Sequence, residues 1–271
     1  MNSTLELRNG IQLPRLGLGV FRTPSGEVTQ RAVLGALEAG YRHIDTASIY
    51  GNENDVGEAI GRSAIPRSEI FVTTKLWNAD QGFDSAMRAF DASLKRLGLS
   101  YVDLYLIHWP VAGLRRESWR ALERLYEEKR ARAIGVSNFM VPHLEELTGV
   151  ARGMPAVNQI EVSPFLQQRA VRAWCAKHGV IVEAYSPLTK GVRLSHPVVC
   201  EIARSTGRSP AQVMLRWGLQ HDLVVLPKST RPARIHENAA IFDFELDSAS
   251  MARLDGLEEG LATGWDPRGQ P

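Results

Sequence analysis

Residues 70–108 read IFVTTKLWNADQGFDSAMRAFDASLKRLGLSYVDLYLIH, and this stretch decides the fold class. Its two ends, 70–75 and 102–108, are short runs rich in β-branched, aliphatic and aromatic residues, the composition of strands. Between them Phe83, Met87, Phe90, Leu94 and Leu97 step by four and three residues, so they line one face of a helix. Strand, helix, strand in that order is a βα repeat, which builds a parallel sheet covered by helices.

The same rhythm extends in both directions. Further strands are expected at 16–20, 41–46, 133–138, 156–162, 180–186 and 223–228, which makes eight, the number that closes an α/β chain into a (β/α)8 TIM barrel. Trp119, Leu122, Leu125 and Tyr126 mark a second helical face. Ser209 before Pro210 reads as an N-cap followed by proline at the first helical position, opening a helix through Val213, Met214 and Trp217. Ahead of the first barrel strand, the apolar runs 5–7 and 11–13 flank Asn9-Gly10, so a β-hairpin should plug one end of the barrel.

At 271 residues the chain can be one large domain or two ordinary ones, and no Pro/Gly/Ser-rich linker divides it, so a single domain over 1–271 is expected. A doubly wound two-domain enzyme is the competing architecture. Against it, Gly17-Leu18-Gly19 is followed by Val20, Phe21 and Arg22, and the third glycine of a Gly-x-Gly-x-x-Gly dinucleotide turn is missing. The formal charge of +2 gives no general reason to expect nucleic acid as a partner, so any basic site must be local. Cys175 and Cys200 cannot make a disulfide framework, and neither sits at metal-ligand spacing. The first residues lack a signal-peptide core and no apolar run is long enough for a bilayer, so a cytoplasmic monomer is the default.

If the strands are placed correctly, their carboxyl ends carry Gly19, Asp45, Lys75, His108, Asn138, Gln159, Tyr185 and Lys228. Barrels of this kind place their chemistry at that face. Singly, Asp45 is explained as a helix cap, Lys75 as a solvated strand end, His108 as a core histidine and Tyr50 as a half-buried phenol. Together, an acid, a lysine, a tyrosine and a histidine converging on one face form a proton-donating group.

The segments GYRHIDTASIYGNE (40–53), FVTTKLW (71–77), DLYLIHWP (103–110), IGVSNF (134–139), VNQIEVSP (157–164) and LPKSTRPARIHEN (226–238) resemble the signature segments of the aldo-keto reductases, in order and over nearly the whole chain. Within that family the chain is most similar to the bacterial 2,5-diketo-D-gluconate reductase group. The resemblance implies a barrel that binds NADPH without a Rossmann domain and reduces aldehydes and ketones to alcohols: small carbonyls, dicarbonyls and keto-sugars. It makes Tyr50 the proton donor, Asp45 and Lys75 the pair that tunes it, and His108 the group that orients the carbonyl. An ammonium about 4 Å from a phenol, at an effective dielectric near 20, is worth about 4 kcal/mol, enough to lower the phenol by roughly three pKa units. His108 is expected to donate from one nitrogen while a neighbour fixes the other.

By the same resemblance Ser137, Asn138 and Gln159 meet the nicotinamide carboxamide, Tyr185 stacks on the ring, and Ser186, Pro187 and Leu188 follow the pyrophosphate. Gly19, Val20 and Phe21 line the inner edge. Lys228, Ser229, Thr230 and Arg234 form the local basic site for a 2′-phosphate, with Glu237 and Asn238 beside the adenine. Substrate walls are expected from Phe21, Ile49, Tyr50, Trp77, His108, Trp109 and Phe139, and no metal is expected. Phe21 stands where many relatives carry tryptophan, and the segments 189–195 and 262–271 are short, which implies an open mouth; Trp265 leaves open whether the tail folds over it. Two other functions fit some of these residues. A Schiff-base lyase would use Lys75 as nucleophile, and an NADPH-binding regulatory subunit would lack turnover.

Overall fold

The computed structural model describes residues 3–269. Its strands are β1 (Thr4–Glu6), β2 (Gln12–Pro14), β3 (Leu18–Gly19), β4 (His43–Asp45), β5 (Phe71–Leu76), β6 (Val102–Ile107), β7 (Ala131–Ser137), β8 (Val157–Glu161), β9 (Ile181–Tyr185) and β10 (Val224–Leu226). The last eight pair in sequence order and in parallel from β3 to β10. A parallel bridge from Leu16 to Val225, with Gly17 N donating to Val225 O at 3.0 Å, joins the two ends, so the sheet closes into the expected (β/α)8 barrel. The strands are shorter than the sequence runs that announced them. Pro227, for instance, has no N–H to continue the ladder, so Lys228 lies two residues past the end of β10.

Alternation sorts the strand residues into two layers. On β6, Leu104 and Leu106 point inward, whereas Tyr105 and Ile107 join the layer between sheet and helices. The interior cluster gathers Phe71, Leu104, Leu106, Ala133, Val157, Val224 and Leu226 together with Leu7 and Leu13 of the hairpin. The antiparallel pair β1–β2 is thus the expected plug, and it sits at the amino end of the barrel. Glycine makes room inside: a β-carbon on Gly17 would come within 2.6 Å of Leu226 and 2.8 Å of the His43 ring, and one on Gly135 within 2.5 Å of the Val157 carbonyl.

The helix Phe83–Leu97 buries Phe90, Leu94 and Leu97 on the expected face. The helix Pro210–Gln220 begins at Ser209, whose hydroxyl accepts from Gln212 N while the Gln212 side chain accepts from Ser209 N. One helical expectation is corrected. In the helix Arg115–Glu127, Trp119, Leu122 and Leu125 are buried, but Tyr126 is 41% exposed, at the margin of the face and in the last turn.

Candidate active site

The carboxyl ends of the inward-facing positions form the mouth of the barrel. Lys75, on β5, has no exposed surface and donates from Nζ to Asp45 Oδ1 at 2.7 Å, to the Thr46 carbonyl at 2.9 Å and to Tyr50 Oη at 3.4 Å. Asp45 ends the neighbouring strand β4, where it pairs with Thr73, and Lys75 lies two residues further along the same face of β5. Tyr50 closes the short 3-10 turn Ser48–Tyr50, which hangs its half-buried ring over Lys75. The His108 ring stands edge-on to Tyr50 with centroids 5.7 Å apart, and to Trp77 at 5.3 Å. The four groups expected to act together are therefore adjacent.

Their electrostatics differ in part from expectation. Burial pushes the Tyr50 phenol above its ordinary value and the Lys75 ammonium pulls it back, but burial prevails, so the net shift is upward. Burial works against a charged Lys75, yet Asp45, Tyr50 and the hydrogen bond to Asp45 outweigh it and hold the amine above its ordinary value. His108 is held well below its ordinary value, by burial and then by Lys75, and its Nδ1 has no hydrogen-bond partner among the described residues. The neighbour expected to fix that nitrogen is not there. The imidazole is neutral at neutral pH, a donor at one nitrogen only.

Beside this group a second polar chain runs along the mouth. Asn138, at φ 63° in the left-handed region, donates from Nδ2 to the His108 carbonyl at 3.0 Å and to Ser137 Oγ at 3.1 Å, while its Oδ1 accepts from Tyr185 Oη at 2.8 Å. Gln159 Nε2 donates to Asp45 Oδ2. Ser186, Pro187 and Leu188 continue from β9, with Ser186 at φ 48° turning the chain away. After β10, Lys228 and Arg234 are exposed, Thr230 and Glu237 half-buried, and Ser229 and Asn238 buried. Arg231, between them in the chain and not among the residues singled out from the sequence, occupies the N-cap position of the helix Pro232–Ala239 without a side-chain capping bond. None of Lys228, Arg231 and Arg234 forms an ion pair among the described residues, and the three lie in or just before the first turn of one helix, a donor set that suits a phosphate.

Of the expected walls, Phe21 and Ile49 are exposed, Phe21 lies 4.9 Å from Tyr50 between centroids, and Trp77 and Trp109 are half-buried. Phe139 is corrected: it has no exposed surface and packs in the layer between strands and helices, because the inward positions of β7 are the odd-numbered ones only as far as Ser137, where the strand ends. The tail does fold back. Glu161, at the end of β8, accepts from Thr263 N at 2.9 Å, from Gly264 N at 3.3 Å and from the Thr263 hydroxyl, and Lys190 donates to the Thr263 carbonyl. Trp265 is thereby set 4.5 Å from Trp109, centroid to centroid. Sequence reading also missed Glu183 and His43, both fully buried inside the barrel. Tyr185 ends β9, and the period of two places Glu183 on the same face of that strand. A separate open cleft of about 970 Å³ lies at the hairpin end, near Leu5, Arg172 and Asp255, and none of the expected site residues lines it.

Residues 15–259 match the model of the Aldo/keto reductase family. The chain belongs to this family. It is 48% identical to the glyoxal reductase of Bacillus subtilis, over 98% of this chain and 97% of that one. It is 49% identical to the 9,11-endoperoxide prostaglandin H2 reductase of Trypanosoma cruzi, over 97% and 94%. A variant of Gox0644 solved in complex with NADPH superimposes with a TM-score of 0.94 at 41% identity, covering 100% of this chain and 99% of that one. The aldo-keto reductase is accordingly an oxidoreductase of carbonyl compounds. No helix among its described residues is long and apolar enough to cross a membrane.

Proposed function

We propose that the protein reduces small aldehydes and ketones, dicarbonyls foremost, with NADPH as cofactor and Tyr50 as proton donor, residues 1–271 acting as one monomeric barrel. The observation that carries this reading is the contact of the Tyr50 hydroxyl with a Lys75 ammonium locked by Asp45 and the Thr46 carbonyl. When bound, the nicotinamide supplies two electrons and a hydrogen to the carbonyl carbon. Everything else falls to the chain. His108, neutral and edge-on to Tyr50, donates to the carbonyl oxygen and aims it at the phenol. As that oxygen becomes an alkoxide, the Tyr50 O–H transfers its proton, and Lys75 stabilises the phenolate left behind. A raised phenol suits this direction, because the donor stays protonated until an oxygen far more basic than itself appears.

Ser137, Asn138 and Gln159 would hold the carboxamide, Tyr185 would cover the ring, Lys228, Arg231 and Arg234 would take the phosphate end, and Glu237 and Asn238 would flank the adenine. The names of the relatives support the dicarbonyl and carbonyl classes, and keto-sugars such as 2,5-diketo-D-gluconate carry the same reacting group. A lyase mechanism is disfavoured by Lys75 itself, since a Schiff-base nucleophile must be an uncharged amine and this one is held as an ammonium by three oxygens. The test is NADPH oxidation followed optically with glyoxal, a simple aldehyde and a keto-sugar. Turnover with glyoxal at micromolar NADPH is expected; cofactor binding without turnover on any of the three would favour the regulatory reading instead.

A further inference from the structure

Glu183 sits in the middle of β9 with no exposed surface, and the reaction outlined above gives it no part. A carboxyl buried inside a barrel carries a desolvation cost that an apolar residue would avoid. Its contact explains its presence. Gln159 Nε2 donates to Asp45 Oδ2 and to Glu183 Oε2, each at 2.8 Å. A primary amide has two hydrogens on its nitrogen and none on its oxygen. With both hydrogens taken by carboxyl oxygens, the amide is held in one orientation, since turning over would give up both bonds and set its carbonyl oxygen against the Asp45 carboxylate that Lys75 pairs with. Asp45 alone supplies one of the two restraints, and it is shared with Lys75 through its other oxygen.

We propose that Glu183 is a positioning residue that, with Asp45, locks the Gln159 amide so that only its carbonyl oxygen is offered to the ligand in the mouth, the N–H group of a nicotinamide carboxamide. The ligand's name rests on the function proposed above; the lock does not. The groups facing Glu183 are His43 and Asp45 from β4, Lys75 from β5 and Gln159 from β8. His43 Nε2 is 3.9 Å from Glu183 Oε1 and is bonded instead to Thr73 Oγ1 at 3.0 Å. Burial first, then the charge on Asp45, push the Glu183 carboxyl up to about 8. At neutral pH it is therefore an uncharged acid that still accepts at Oε2, and it adds no second negative charge near Lys75. Glutamine can reproduce that acceptor; leucine cannot.

The experiment uses the full chain. Side-chain amide hydrogens of Gln159 are followed by NMR without cofactor, their resonances identified by their loss in Gln159→Leu, and NADPH affinity is measured by fluorescence. In the wild type and Glu183→Gln the amide should exchange slowly, and in Glu183→Leu at least about tenfold faster, as one of its two restraints is lost. NADPH should bind about five- to tenfold more weakly to Glu183→Leu, with kcat changed less than KM, and within about twofold of wild type to Glu183→Gln. Equal amide exchange in all three proteins would overturn the lock whatever the cofactor does. A protected wild-type amide with unchanged NADPH affinity in Glu183→Leu would overturn its positioning role. A protected amide in a wild type that binds no NADPH would keep the lock and overturn the nicotinamide reading.

Discussion

Tyr50 and His108 show how burial and charge divide the work within one site. Removing the hydroxyl alone, in Tyr50→Phe, keeps the ring that packs on Phe21 and His108 and should cost about a hundred- to ten-thousand-fold in kcat. NADPH affinity should stay within about twofold; steady-state kinetics beside a fluorescence titration would decide, and retention of most of the turnover would remove Tyr50 from its role. Because His108 is held well below its ordinary value, it is already neutral at pH 6.5, and kcat should show no inflection there. A profile between pH 5.5 and 7.5 with an inflection that disappears in His108→Gln would contradict this. Asp45, Lys75 and His108 could be found from the sequence because a strand's last inward residue is where an apolar run turns polar. The same logic hides Glu183, since it lies inside a run and only the end of a run marks the mouth.

At the scale of elements, local signals were legible and distant ones were not. Asn9-Gly10 and Ser209-Pro210 encode a turn and a cap through their own backbone preferences, and both stand where they were read. The tail could not be read this way: Glu161 and Thr263 are 102 residues apart, and no short pattern announces their meeting. Tyr126 departs from the expected face because a period fixes the direction of a side chain without saying where the neighbouring helices stop covering it. The segment from β10 into the helix Pro232–Ala239 is where an element makes a prediction. Lys228, Arg231 and Arg234 form no ion pair among the described residues and lie at one helix N-terminus, and charge-assisted bonds to a phosphate are worth about 1.5 to 3 kcal/mol each before exposure is discounted. Arg234→Ala should weaken NADPH about tenfold and leave NADH nearly unchanged. The NADPH advantage should also shrink with added salt. Equal losses for both cofactors in fluorescence titrations would assign Arg234 to the fold or the adenine.

The molecule as a whole carries a polar layer, His43, Thr73, Gln159 and Glu183, above an apolar floor closed by the hairpin, and this layer couples stability to pH in two opposite senses. His43 is held down to about 4 by burial, against 6.5 when free. As pH falls through that window the unfolded chain takes up a proton that the folded one refuses, so stability is lost on the acid side, by up to about 3 kcal/mol. Glu183 runs the other way. Its folded value of about 8 exceeds the free value of 4.5, so between these limits the folded protein keeps a proton that the unfolded chain has released, and stability falls as pH rises, by up to about 5 kcal/mol. Glu183→Gln removes the second slope and keeps the hydrogen bond to Gln159. Its melting temperature should therefore exceed that of the wild type by about 10 °C or more at pH 8.5, at some 2 to 4 °C per kcal/mol for a domain of this size, and by no more than about 3 °C at pH 5, where little of the slope has yet been crossed. Melting curves of both proteins at the two pH values make the comparison. The same offset at both would mean that glutamine merely packs better, and that no proton is held on Glu183 in the folded barrel.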